Sequence, residues 1–305
     1  MTYVLSALAP VFLLIVIGWA ARASRLLSDE TFAGVNRFGY FVPYPAFLFT
    51  TVAGADLYET GAGLFLAACV TGFLAVAALA LTLRLVFKNG PTFTSVFQGA
   101  LRWNGFVVLA AAEPLYGPRG DELVALAFGP LVLMVNIICV AVLARWGATP
   151  LASKRAIAAQ VFANPLIIAC AIGLVFNAAR IHSIPVVSDG LRLIGQSAMP
   201  LALICVGAGL DFGPLRRGWA CVAASSAVKL LAAPLMMFGA ARLYGLDPLT
   251  TAICIGIGST STAAASYTLA REMGGDARVM AGIVSATTLL SFLTMPLVIS
   301  LSAPP

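Results

Sequence analysis

Apolar runs of about twenty residues follow one another along this chain, and that is the length a helix needs to cross a bilayer. Ten such runs can be marked, at roughly 3–22, 34–54, 62–86, 95–116, 122–145, 157–178, 186–210, 218–243, 249–271 and 277–301. The connections between them are short and hold turn-forming residues: Lys88-Asn89-Gly90-Pro91, Gly117-Pro118-Arg119-Gly120 and Asp211-Phe212-Gly213-Pro214. Pro45 and Pro200 fall inside spans 2 and 7 and predict a kink in each. The pattern predicts an all-α integral membrane protein with ten transmembrane helices.

Composition removes the soluble alternatives. Of 305 residues, 61% are hydrophobic and 10% charged, with a mean hydropathy of +0.99. A soluble domain carries charge on about a quarter of its residues. The shortage here extends along the whole chain, so a soluble body on one anchor is excluded. The first run, Val4–Ala21, has no positive segment before it and is followed by Arg22 and Arg25. It reads as an uncleaved helix with its N-terminus outside.

The net charge of +6 sits at the ends of apolar runs, where it reports topology and not nucleic-acid binding. The connections after the odd-numbered spans hold eleven basic residues: Arg22, Arg25, Arg84, Lys88, Arg145, Lys154, Arg155, Arg216, Arg217, Arg271 and Arg278. Those after the even-numbered spans hold three: Arg119, Arg180 and Arg242. The odd connections are therefore expected in the cytoplasm, with both termini on the outer side of the plasma (inner) membrane. The six cysteines lie in apolar runs without CxxC or metal-ligand spacing and read as packing residues. With His182 the single histidine, no metal or cofactor is expected.

The chain resembles itself at a shift of 155 residues. Pro10 meets Pro165, Gly18 meets Gly173, Arg37 meets Arg192, Pro45 meets Pro200, and Gly54 and Asp56 meet Gly209 and Asp211. Gly90 meets Gly245, and Gly120 and Asp121 meet Gly275 and Asp276. Only seven aspartates are present, yet two pairs coincide. The shift contains five spans. An odd number inserts the second copy upside down, which predicts a first five-helix repeat over 1–146 and a second, inverted one over 157–305. Inverted repeats are the build of secondary transporters, with the substrate near the midplane where the copies meet.

Spans 4 and 9 are equivalent in that repeat, and both are poor helices. Span 4 holds Gln98, Arg102, Trp103, Asn104 and Gly105; span 9 holds Gly256, Gly258, Ser259, Thr260, Ser261 and Thr262. Asn104 and Ser259 are partners at the shift. Unwound backbone at membrane depth is tolerated beside protein or a water-filled cavity, and the half-helix ends it creates can face an ion. Tight helix packing through small residues is the competing reading.

A charge at the bilayer centre costs about 2.5–3.5 kcal/mol, so Arg102 in span 4 and Lys229 in span 8 either face a cavity, reach an interface or pair with Glu113. Asn136 in span 5 either bonds across the core or lines the site. The candidate substrate-binding residues are Arg102, Asn104, Gly105, Asn136, Ser259, Thr260, Ser261, Thr262 and Lys229. Asp56, Asp121, Asp211 and Asp276 read as turn and cap residues.

No Asp-rich magnesium motif, HExxH or GxGD is present, so an embedded enzyme is not expected. A channel or solute sensor on the same span pattern is the alternative to a carrier.

Several strings resemble the auxin efflux carrier family. They are Arg102-Trp-Asn104-Gly-Phe with Leu115-Tyr116-Gly117, Asn164-Pro165-Leu166-Ile167 with Gly173, and Gly207-Ala-Gly-Leu-Asp211. Lys229-Leu-Leu with Pro234 and Tyr267-Thr-Leu-Ala-Arg271-Glu-Met-Gly-Gly-Asp276 complete the set, which covers essentially the whole chain. The resemblance implies a sodium/proton antiporter-like fold. Spans 1, 2, 6 and 7 would form a scaffold, spans 3–5 and 8–10 a transport unit, and broken helices 4 and 9 would cross at the substrate. It implies export of auxin-, malonate- or malate-like carboxylates, a possible proton or sodium coupling ion, and a homodimer through the scaffold. The family's crossing prolines are replaced, by Ser261 in span 9 and by Ala110–Ala111 in span 4. The short link Trp146–Ala156, in place of a long hydrophilic loop, points to a compact bacterial-type member.

Overall fold

The computed structural model describes residues 2–54, 62–148, 159, 163–181, 184–211, 213 and 218–302. Asp56, Lys154, Arg155, His182, Arg216, Arg217 and Pro305 lie outside the described residues. Every regular element among the described residues is helical. In chain order these are α1 (Thr2–Ala23), α2 (Asp29–Phe41), α3 (Pro43–Gly54), α4 (Ala62–Thr82), α5 (Gly90–Leu101), α6 (Gly105–Trp146), α7 (Pro165–Ala178), α8 (Val187–Gln196) and α9 (Ala198–Ala208). There follow α10 (Trp219–Ala227), a π-turn (Val228–Ala232), α11 (Ala233–Leu243), α12 (Pro248–Gly258), α13 (Ala265–Glu272) and α14 (Ala277–Ser302).

Six helical stretches among the described residues are long and apolar enough to cross a membrane: Tyr3–Ala23, Ala62–Leu85, Gly90–Trp146, Val187–Ala208, Trp219–Leu243 and Ala277–Leu301. Large apolar side chains such as Leu13, Leu235 and Leu293 stand exposed on them. In water that surface would be an aggregation liability; facing lipid it is satisfied. The chain is a multi-pass membrane protein.

Local chemistry sets where helices start and stop. Ser28 accepts from Thr31 N ahead of α2, with Asp29 and Glu30 in the first turn. Asn89 accepts from Thr92 N ahead of α5, Asn164 from Leu166 N ahead of α7, and Asp247 from Leu249 N and Thr250 N ahead of α12. Each of these last three is followed within two residues by a proline, which fits a first turn that has no use for its N–H.

The kinks predicted from Pro45 and Pro200 fall three residues upstream of each, at Val42 and Ser197. Proline has no N–H for the carbonyl four residues back, so the helix opens in the preceding turn. Asp211 and Asp276 are turn and cap residues, accepting from Gly213 N and Val279 N. Asp121 is not a cap; it lies inside α6, half-buried. The turn expected over Gly117–Gly120 reduces to a single residue. Gly117 alone leaves helical geometry (φ 71°, ψ −174°), and the helix resumes at Pro118. Positive φ costs glycine nothing, and proline is suited to a first helical position.

Two pairs of helices pack in the same way. α1 lies along α9, and α3 along α7. A Cβ at Gly18 of α1 would collide with the Ile204 carbonyl of α9. A Cβ at Gly173 of α7 would lie 3.1 Å from the Phe49 carbonyl of α3. Gly18 and Gly173, and Phe49 and Ile204, are related by the 155-residue shift. The helix ends obey it too. Arg22 Nη1 donates to the carbonyls of Ala208 and Leu210 (3.1 and 3.2 Å), ending α9. Asn177 Nδ2 donates to those of Val52 and Ala53 (both 3.2 Å), ending α3. The other large core joins α4, α5, α6, α11 and α12 around Phe65, Phe73, Phe97, Trp103, Phe128 and Met237.

Candidate functional site at two helix breaks

α5 stops at Leu101. Arg102 takes extended geometry (φ −68°, ψ 132°), and its N–H makes the last helical bond, to Gln98 O at 2.8 Å. α6 starts at Gly105 because Asn104 turns its Oδ1 onto Val107 N, an N-cap. Gly105 is required sterically, since a Cβ there would enter the Phe128 ring. The first break therefore lies at Arg102–Asn104. That is within the stretch where span 4 reads as a poor helix, whereas Ala110–Ala111, the position that the resemblance assigns to the crossing proline, lies inside α6.

α12 stops at Gly258, and α13 begins only at Ala265. The intervening hydroxyls cover carbonyls that the lost turns leave open. Ser259 Oγ donates to Gly256 O (2.9 Å), and Thr260 Oγ1 to Ile257 O (3.1 Å). Thr262 turns away from its helix. Its Oγ1 donates to Gly99 O on α5 (2.7 Å), and its N–H to Thr287 Oγ1 on α14 (3.1 Å).

The two breaks touch through main chain. Asn104 N donates to Ser261 O at 2.9 Å and is 3.3 Å from Thr260 Oγ1. Arg102, Asn104, Gly105 and Ser259–Thr262 thus converge although half the chain separates them. Asn136, on the second arm of α6, joins them by accepting from Arg102 Nη1 at 2.7 Å. Arg102, Trp103, Val132, Val135 and Asn136 line a pocket of about 30 Å³, room for a water molecule or two.

Lys229 does not line that cavity. It sits on the π-turn with no exposed surface, donates to Gly258 O at 3.3 Å, and lies over the Phe73 ring at 5.8 Å from its centroid. Phe73 in turn packs against Trp103, centroids 6.0 Å apart. The pairing with Glu113 considered for Arg102 or Lys229 is not formed: Glu113 is exposed, and the two basic residues bond elsewhere.

Nine buried side-chain polar atoms among the described residues have no hydrogen-bond partner. Seven lie in the two breaks or within four residues of them along the chain: both amide atoms of Gln98, Arg102 Nε, Trp103 Nε1, Asn104 Nδ2, Ser261 Oγ and Ser266 Oγ. The other two are Ser226 Oγ and Thr288 Oγ1. Native interiors satisfy nearly all such groups with protein or ordered water, so this cluster is a candidate place for water or a ligand to bind. Four of the seven are N–H donors, two are hydroxyls, and only Gln98 Oε1 is an obligate acceptor. No Asp or Glu occurs in 98–104 or 261–266. The crossing therefore offers donors and positive charge, which suits an acceptor-rich ligand.

Gln98, Trp103 and Ser266 join the candidate residues through their unpartnered atoms, and sequence reasoning did not select them. A glutamine inside an apolar span was the available signal. Trp103 and Ser266 needed the fold, since they read equally well as core.

The chain matches the family described as "Membrane transport protein" over residues 3–148 and again over 148–299. It is also similar to an uncharacterized transporter of Methanothermobacter thermautotrophicus. The two are 26% identical over 299 residues, covering 94% of each chain.

Proposed function

We propose a carrier mechanism for this chain, which belongs to the membrane transport protein family, that of the auxin efflux carriers. The chain is a secondary transporter of the plasma membrane that moves a small organic anion, a carboxylate of auxin or malonate type. The ligand binds where the two helix breaks cross, and alternating access exposes that point to one side and then the other. The chain holds ten spans in two inverted five-helix repeats, with broken helices 4 and 9 crossing as in sodium/proton antiporters. The reciprocal pairs Gly18–Ile204 and Gly173–Phe49 and the equivalent caps Arg22 and Asn177 support this arrangement.

The observation that carries the reading is the cluster of unpartnered N–H groups on Gln98, Arg102, Trp103 and Asn104. A carboxylate presents about four lone-pair sites and no donor, the complement of this set. Arg102 is the charge that selects the anion, with Asn136 fixing its guanidinium. A cavity of about 30 Å³ does not admit such a solute. Binding therefore requires the breaks to separate, which is what a carrier's gated state provides.

Thermal-shift measurements on the purified protein test this. Mono- and dicarboxylates such as malonate should raise the melting temperature. Stabilisation by neutral or cationic solutes alone would refute the anion. Arg102→Ala should weaken carboxylate binding about ten- to hundredfold, the equivalent of one charged hydrogen bond of about 1.5–3 kcal/mol. Unchanged affinity would make Arg102 structural.

A further inference from the structure

Of the charged residues buried among the described ones, Arg102 has a side-chain partner in Asn136, and Lys229 has only a backbone carbonyl and a ring. We propose that Lys229 carries a coupling proton, binding it while its amine faces the Gly258 carbonyl and releasing it when the end of α12 moves away. The proposal rests on the carrier reading and adds to it the ion that drives the solute.

The surroundings of Lys229 balance its two charge states. The π-turn packs against α4, α5, α10, α11 and α14, and Lys229 reaches α12 through its hydrogen bond. None of these six helices contains an Asp or Glu. Their titratable groups are Cys69 on α4, which meets Cys254 on α12 at 3.7 Å, and the partly buried Cys221 on α10. Arg242 on α11 and Arg278 on α14 are both exposed, and α5 carries none. No carboxylate on these elements fixes the ammonium, and Gly258 O is its one hydrogen-bond acceptor among the described residues. Burial without a counter-charge disfavours the charged form.

Two features favour that form. Gly258 O is the last carbonyl of α12, at the negative end of the helix. It is open because Thr262 N, which would close the next turn onto it, donates to Thr287 Oγ1 instead. The face of Phe73 adds a cation–π contact. Gly258 ends the helix that leads into the second break, so a movement that carries the end of α12 away removes the hydrogen bond that supports the charge.

The geometry of the turn is specific to this residue. In the π-turn Ala233 N bonds Val228 O, five residues back, and Pro234 has no amide to offer Leu230 O. Such a turn inserts one residue into a helix and re-aims its side chains, often at functional sites. The equivalent position in the first half is Leu74, so only one half carries the group.

The step itself is a protonation. An aqueous proton adds to the neutral amine on one side to give the ammonium, and leaves to water on the other. No other bond changes.

Two measurements on the full chain decide it. The first follows radiolabelled malonate into proteoliposomes with the membrane potential clamped. One proton per turnover gives accumulation of about tenfold for each pH unit of gradient. Lys229→Met and Lys229→Arg, fixed as neutral and charged, should lose this gradient-driven accumulation. Accumulation in Lys229→Met equal to wild type overturns the proposal.

The second reads the proton without any solute. The chain has three lysines, Lys88, Lys154 and Lys229. In [15N]lysine NMR the Nζ signal missing from Lys229→Met should change charge state between the two pH values used for the gradient, while the other two stay constant. A Lys229 signal that keeps one charge state overturns the proposal whatever the cargo. A titrating signal with no malonate movement upholds the proton site and refutes the cargo.

Discussion

The two halves of the chain agree in their frame and differ at their breaks. In the frame, a glycine of the first helix in each half approaches a carbonyl on the second helix of the other half: Gly18 on Ile204 and Gly173 on Phe49. A side chain one turn further on caps the same helix end in both, as Arg22 or Asn177. At the breaks the halves diverge. The first is three residues long and rich in N–H donors, from Arg102 to Asn104. The second is six residues long and made of hydroxyls and small side chains, from Ser259 to Ala264. Arg102 and Asn136 have Ile257 and Ser291 as equivalents, and Lys229 has Leu74. Packing geometry is the part that two copies must share to interlock. Charge is the part that one copy can supply for both, because the breaks touch.

The comparison can be sharpened by substituting equivalent positions and measuring melting of the purified protein. The largest effect is expected at the glycines. Gly18→Ala meets backbone that cannot move aside and should cost about 2–3 kcal/mol. Gly173→Ala meets Val52 Cβ at 3.0 Å and should cost about 1 kcal/mol. Equal losses would mean the two helix pairs are equally tight, and the frame more symmetric than its contacts.

The caps come next. Asn177 is buried, so Asn177→Ala should cost about 1–3 kcal/mol by removing the donor to Val52 and Ala53. Arg22→Ala should cost less, because the Arg22 side chain is itself 37% exposed. A larger loss for Arg22→Ala would reverse that order.

The smallest effect separates the caps by pH. Arg22 Nε donates to Asp29 Oδ1 at 2.7 Å, and this bond, then the charge of Arg22, holds the Asp29 carboxyl below its usual range. A depressed folded value means the stabilisation is present above the unfolded value of about 3.9 and is lost as pH falls through the folded value. Asp29→Asn should therefore shallow the acid limb of the melting profile slightly. An acid limb identical to wild type would remove this contribution.

How far the sequence revealed the molecule depended on the range of the forces involved. α1, α4 and α14 were legible because their apolar runs are long and unbroken. The second break was legible because Ser259–Thr262 is a local run of hydroxyls. The first was legible as Gln98–Gly105, polar and small residues in an apolar span, and only the crossing point sought at Ala110–Ala111, where the resemblance puts a proline, was placed too late. The working signal was Asn104-Gly105, an N-cap followed by a residue that must lack a Cβ. Arg102 and Lys229 stood out as charges in apolar spans, but Asn136 and Gly258, 34 and 29 residues away, could not be assigned by spacing. Gln98 lay in view as a polar residue in a span. Its lack of a partner is a property of the folded neighbourhood alone.

The Phe73 ring stands between Trp103 in the first break and Lys229, which bonds the end of α12. Of the four tryptophans, Trp103 is the one classed as buried, at 4% exposure against 45% for Trp19 and 70% for Trp219. Its emission should be sensitive to a charge arriving behind Phe73. The fold thus contains an intrinsic fluorophore at the crossing, and opening of the breaks can be followed as a change in colour and brightness without any attached dye.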